Sequence, residues 1–303
     1  MRRIRVHQAW YRAQILGVDG YGRLAGSGKL CGSVLPDDAA KRNLNFLGSC
    51  AVERYTERRS AGWGVDPERC TKYLTSSQTL TFNMLAGAVE RKAQCAALFN
   101  DVLSRSDLVA LETSSFEFAA QGSKYGLGDK TLLDLLLRFR TVSGSLQVVA
   151  VETKLADRFS TRRTAGMFGP EYVSIGKHSG VWRDLNVALA SNQSRQLARC
   201  HALAQSIQRK DGGPGEHAVL LVLTHPNDLS GPKSVATYAQ GVTRSTALVN
   251  QSWRQFLDAA QSHSAIDGSA AFELSRRYVD LTWSEQVWRE LDGVAADASQ
   301  AIV

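Results

Sequence analysis

Two short apolar runs stand out from a chain whose apolar residues are otherwise spaced for helices. They are Thr131-Leu-Leu-Asp134-Leu-Leu-Leu-Arg-Phe-Arg140 and Leu146-Gln-Val-Val-Ala-Val-Glu152-Thr-Lys154, parted by Thr-Val-Ser-Gly-Ser. Such runs predict buried strands, and Ser143-Gly144-Ser145 predicts a hairpin turn between them. Residues 108–112 and 115–118 predict two separate elements, the second a strand with Glu117 on its polar face. Residues 218–224 predict another buried strand, after the turn Asp211-Gly-Gly-Pro-Gly.

Elsewhere the spacing is helical. Ser76 or Ser77 can cap a helix carrying Leu80, Met84, Leu85 and Val89, with Gly87 weakening it or marking its end. Ala93, Ala97, Leu98 and Val102 give a second helix over 93–103. Residues 186–208, 233–265 and 283–291 also read as helices, and 274–281 fits helix or strand. Within 233–265 the core candidates are Tyr238, Leu248, Trp253, Phe256 and Leu257. The first seventy residues show no sustained period, which predicts loops and short helices anchored by Trp10, Tyr11, Tyr21, Phe46 and Trp63. Residues 157–183 read as a basic loop, and the tail from 295 to 303 is expected to fray. The expected fold is α/β: a mixed sheet of about four to five strands flanked by helices. Residues 1–72 would be an N-terminal elaboration, 73–230 the core and 231–303 a C-terminal helical extension.

The hairpin also carries chemistry. Each strand holds one carboxylate where a buried strand should hold none, and Glu152 and Lys154, two apart, share a face. Asp134 on the neighbouring strand can reach that face. Two carboxylates and an ammonium are costly to bury unless a cation or substrate sits among them. The set suits a divalent metal that activates water, with the lysine steering the nucleophile or the developing charge.

This hairpin resembles the core of the PD-(D/E)XK nuclease superfamily, the restriction-endonuclease-like fold. Asp134 matches the first acid and Glu152-Thr153-Lys154 the E-x-K element, while Leu133 stands where the motif has proline. Asn45-Phe46-Leu47, residues 74–83, Phe116-Glu117-Phe118, Gly128-Asp129 and Gln196-Leu-Ala-Arg199-Cys-His201 extend the resemblance to a group of bacterial nucleases over most of the chain. It implies a Mg²⁺- or Mn²⁺-dependent endonuclease acting on nucleic acid, DNA foremost, in restriction or phage defence. Asp134, Glu152, the Thr153 carbonyl and Glu117 would hold the metal, with Glu112 the runner-up to Glu117. Lys154 and Gln196 would complete the catalytic set. Asp129 competes with Asp134 as first acid, but Asp134 interrupts the strand itself, and Asp129 is better placed to orient the strand's start.

Composition adds less. The 303 residues suffice for one large α/β domain or two small ones, and the net charge of +7 favours a polyanionic partner. Arg158, Arg162, Arg163 and Lys177 beyond the E-x-K strand, with Arg199, are the expected phosphate contacts. Five scattered cysteines without a CxxC pair indicate neither a zinc ribbon nor a disulfide framework. No apolar run is long enough to span a membrane, and the N-terminus lacks a secretory h-region, so a cytoplasmic protein is expected. A homodimer or a partner in a defence complex fits the resemblance. A catalytically inactive nucleic-acid-binding or assembly module of the same fold is the competing class. It would be signalled by loss of a core residue, and all three are present.

Overall fold

The computed structural model describes residues 2–120, 123–163, 168–212 and 216–291. Gly213–Gly215 of the expected turn and the tail from 295 lie outside the described residues. The chain opens with helix α1 (Arg2–Trp10), which continues as a π-turn to Ile15, and a short hairpin of β1 (Gly22–Arg23) and β2 (Leu30–Cys31). Four helices follow: α2 (Asp37–Lys41), α3 (Ser49–Ser60), α4 (Pro67–Lys72) and α5 (Ser77–Glu90). Ser76 is the N-cap of α5, its hydroxyl accepting from Thr79 N–H, and α5 runs through Gly87 without ending there. Helix α6 (Lys92–Val102) leads into the main sheet.

That sheet has five strands in the order β3-β4-β5-β6-β7. Strands β3 (Leu108–Ala119), β4 (Leu132–Thr141) and β5 (Leu146–Thr153) are antiparallel neighbours. Strands β6 (Val219–Thr224) and β7 (Leu248–Ser252) add on in parallel. A parallel neighbour needs a crossover. The β5-to-β6 crossover carries α7 (Pro170–Ser179), α8 (Leu185–Ala190) and α9 (Arg195–Ile207); the next carries α10 (Ser230–Ala239). Helices α11 (Trp253–Ser262) and α12 (Gly268–Tyr278) close the fold, and residues 281–291 continue as a 3-10 turn and a final helical stretch.

Alternation along the strands serves two cores. Val149, Val151 and Leu221 face a layer built from α3, α5, α6, α11 and α12. Val148, Ala150, Leu220 and Val222 face α7, α8, α9 and α10. Because β5 and β6 are buried on both faces, they are continuously apolar, the pattern of an inner strand covered by helices.

Several expectations need correction. The two elements over 108–118 are one twelve-residue strand, whose irregularities at Leu108/Ala110 and Leu111/Thr113 break the period-two pattern. The single helix over 186–208 is two. Arg195 folds back so that its guanidinium donates to the carbonyls of Leu189 (2.9 Å) and Ala190 (2.7 Å), closing the end of α8. Residues 248–252, taken for helix, form the edge strand β7: five residues with Asn250 and Gln251 show no local period, and pairing with β6 decides their state. The basic loop over 157–183 contains α7, begun at Pro170. Tyr11 and Phe46 are buried anchors as expected, but Tyr21 and Trp63 are exposed. Residues 274–281 are helical through Tyr278.

Candidate functional site

The site lies where β3, β4 and β5 end together. Leu135 pairs with Val151, so Asp134 falls opposite Glu152. Phe116 and Phe118 pair with Leu135 and Leu133, so Glu117 falls opposite Asp134 on the other side. Three carboxylates thus stand in one row across three strands. Glu117 and Glu152 are buried, at 2% and 1% exposed, and Asp134 between them is half-buried at the cleft. Lys154, one residue past β5, is also buried and donates to Glu152 Oε1 at 2.6 Å.

Neighbouring helices fix these groups. From α9, Gln196, Arg199 and Cys200 project together, as spacings of three and four require. Gln196 Nε2 donates to Glu152 Oε1 at 2.6 Å, and Cys200 Sγ donates to Glu152 Oε2 at 3.4 Å. Gln196 Oε1 in turn accepts from Ser160 N–H at 2.6 Å, tying the segment after β5 to the same carboxylate. Asp134 Oδ2 accepts from Thr153 N–H at 2.7 Å and Thr153 Oγ1 at 2.8 Å, and Thr153 Oγ1 meets Thr81 Oγ1 of α5 at 2.7 Å. Phe159 lies against Lys154, its ring centre 5.1 Å from Nζ.

The electrostatics are strained: like-charged carboxylates crowd together, and Lys154 makes a direct ion pair with Glu152 alone among them, while Arg58 offsets part of the Glu117 charge. Burial, then the Glu152 charge, pushes Asp134 up to about 7. Burial, then Asp134, holds Glu117 well above the usual carboxylate range. Burial alone would lower Lys154, but the facing charges of Glu152 and Asp134 outweigh it and hold the ammonium above its ordinary value. Among the described residues Glu117 Oε1 is buried with no hydrogen-bond partner, and Glu117 sits at φ +46°, a left-handed conformation that non-glycine residues rarely adopt.

A cleft of about 330 Å³ gathers most of the expected residues: Glu117, Asp134, Lys154, Gln196 and Arg199 line it. Others lie elsewhere. Glu112 pairs with Arg140, further along β3 and outside the cleft. Asp129 does not meet the acid row: its Oδ1 accepts from Thr131 N–H (2.9 Å) and Oγ1 (2.6 Å), and its Oδ2 from Tyr172 OH (2.8 Å) and Arg199 Nε (3.2 Å). Arg199 is therefore an ion-pair partner of Asp129 as well as a wall of the cleft. Arg158, Arg162 and Arg163 are exposed on the segment tied down by Ser160, and Lys177 is exposed on α7, outside the cleft lining. Reading the sequence missed Cys200, Gln78, Lys130 and Arg69 as cleft residues. Cys200 had a visible signal, four residues after Gln196 on the same helix. Arg69 had none, since α4 is distant in sequence.

Among the described residues, no three His, Cys, Asp or Glu side chains form a ready-made metal cage. Glu152 is occupied by Lys154, Gln196 and Cys200, and the like-charged acids repel. The donor set still fits a hard divalent cation. It offers carboxylate oxygens, one of them an orphaned buried atom, at a place where burial and mutual repulsion already disfavour their charge.

A five-stranded mixed sheet with an acid–acid–lysine cleft at the ends of its antiparallel strands defines a nuclease-type α/β fold. The chain belongs to the PD-(D/E)XK nuclease superfamily, whose family model matches residues 1–280. No curated protein and no solved structure matches the chain significantly. Among the described residues no helix is long and apolar enough to cross a membrane.

Proposed function

We propose that this chain is a divalent-metal-dependent endonuclease that hydrolyses phosphodiester bonds in DNA, a cytoplasmic enzyme of restriction or phage defence. The observation that carries this reading is the row Glu117–Asp134–Glu152 beside Lys154, with Asp134 and Glu117 held above the usual carboxylate range by desolvation and by their charged neighbours. Asp134, Glu152, the Thr153 carbonyl and Glu117 would hold Mg²⁺ or Mn²⁺. Such an ion neutralises a scissile phosphate and lowers the pKa of a water it binds.

The chain's own groups do the rest. Glu152 is kept in one orientation by Gln196 and Lys154, so a carboxylate oxygen is fixed before substrate arrives. Lys154 lines the cleft with its ammonium on Glu152, from where it would orient the nucleophile or meet charge developing on phosphoryl oxygens. Thr153 anchors Asp134 through two hydrogen bonds. Arg158, Arg162 and Arg163, exposed on the segment that Ser160 ties to Gln196, would meet flanking phosphates. The substrate test is incubation with plasmid, linear duplex, single-stranded DNA and RNA, with Mg²⁺, Mn²⁺ or chelator. The proposal expects metal-dependent cleavage of DNA that ceases with Glu152→Gln. Cleavage that persists in Glu152→Gln, or none on any substrate, contradicts it.

A further inference from the structure

Trp63 sits in a place that packing does not explain. It is 47% exposed, although tryptophan is normally among the most buried side chains. Its loop is nonetheless fixed. Gly62 (φ +110°) and Gly64 (φ +123°) flank it with backbone angles that side-chain-bearing residues rarely adopt. Arg58 joins the loop to the acid row, its guanidinium donating to the carbonyl of Trp63 at 2.6 Å and, through Nε, to the carbonyl of Glu117 at 2.9 Å. Gln78 donates to the Gly64 carbonyl at 2.9 Å, and Gln78 itself lines the cleft. Lys130, also in the cleft wall, holds its ammonium 5.9 Å from the indole centre.

Beside Trp63 a groove of about 430 Å³ runs along the edge strand β3, walled by Arg54, Arg58, Ser114, Ser115 and Phe118. Glu57 lies there too, but Arg54 pairs with it at 2.8 Å. Arg58 gives its protons to backbone carbonyls, which leaves its positive charge uncancelled by those bonds. A flat exposed indole, cations on both sides and hydroxyls along one wall match an aromatic base with its phosphates. The bases of an intact duplex are stacked inside it and cannot reach an indole at a groove wall.

We propose that Trp63 is a stacking platform for an unpaired base of the DNA strand entering the cleft, so that the protein favours substrates with a single-stranded or frayed segment next to the cleavage point. This rests on the nuclease reading above. Lys130 would hold the phosphate between the stacked base and the acid row.

The test is fluorescence anisotropy of the full chain with labelled single-stranded DNA, perfect duplex, and duplex bearing a single-stranded tail. Ca²⁺ replaces Mg²⁺, so that a hard cation is present while substrate stays intact. Trp63→Ala should weaken binding of the single strand and the tailed duplex about tenfold, the scale of one lost base–aromatic stack, and leave perfect duplex within about twofold. Trp63→Phe should restore most of the loss. Equal affinities of Trp63→Ala and wild type for single-stranded DNA, or an equal loss on perfect duplex, would overturn the platform while leaving the nuclease reading intact. Wild-type protein that binds none of the three DNAs would overturn the nucleic-acid reading beneath it.

Discussion

Two buried charge clusters lie side by side at the ends of β3–β5, and they are built on opposite principles. In the first, Asp129 accepts from Thr131, Tyr172 and Arg199, so the carboxylate meets a guanidinium and hydroxyl and amide donors. In the second, three carboxylates crowd together with Lys154 bonded to one of them and Arg58 near another, and among the described residues Glu117 Oε1 has no hydrogen-bond partner. Both cost desolvation. The first recovers it internally and fastens α9 and α7 to the start of β4. The second does not, and a buried group left short of partners marks where something from outside belongs. The same helix serves both: Arg199 satisfies the structural pair, while Gln196 and Cys200 orient Glu152.

The contrast can be broken by exchanging the behaviours of the two clusters. Lys154→Ala should show the largest effect: cleavage slower by orders of magnitude with near-normal DNA binding, because the ammonium acts mainly on the transition state. Single-turnover cleavage alongside anisotropy checks this, and a normal rate would remove Lys154 from the mechanism. Asp129→Ala should do the reverse and act on stability. Stranding the Arg199 guanidinium should cost about 3–5 kcal/mol in denaturant unfolding. A loss below about 1 kcal/mol would show that the pair is not the internal fastener described here.

Smaller effects sharpen the comparison. Gln196→Ala and Glu117→Ala should each lower turnover about 10–100-fold while the protein stays folded, as expected when an orienting group or a metal-side carboxylate is lost. Full activity in both variants would place them outside the working site. Replacing Arg158, Arg162 and Arg163 together by alanine should weaken DNA binding and flatten its salt dependence, by about 0.9 of a log unit per lost phosphate contact. An unchanged slope would mean that these arginines stay in solvent when DNA is bound. Three buried histidines should also favour unfolding in acid. Burial lowers His7, His201 and His225 to about 4. Between the ordinary histidine value of 6.5 and about 4, the unfolded chain takes up protons that the folded chain refuses, so stability decreases as pH falls. Each group contributes at most about 1.4 kcal/mol per pH unit over that window. Asp134 and Glu117, held above their usual range, act in the opposite direction over the same window, so ring titration by NMR is the direct check, and a ring that titrates at 6.5 would contradict its burial.

What the sequence disclosed follows from where information is local. The β4–β5 hairpin was legible because its strands are continuous apolar runs with a Ser-Gly-Ser turn, and Asp134 and Glu152 were legible because they interrupt those runs. Strand β7 was not, because its five residues, four half-buried and Asn250 exposed, take their state from pairing with β6. The break between α8 and α9 depends on Arg195 turning back onto carbonyls six and five residues earlier, a contact no periodicity reports. Arg69 and Gln78 reach the cleft only because α4 and α5 pack beside the sheet ends. Trp63 looked like an anchor because tryptophan usually is one, and only the flanking glycines hinted at a held, outward loop.

The account turns on the acid row being a divalent-cation site. Titration calorimetry with Mn²⁺ on wild-type protein and on Asp134→Asn, each shown to be folded by circular dichroism, measures that directly. The account predicts saturable binding by the wild type that is lost or weakened at least tenfold in Asp134→Asn, since one charged ligand is removed while the side chain keeps its shape. Equal Mn²⁺ affinity in the two proteins, or none in the wild type, would contradict it.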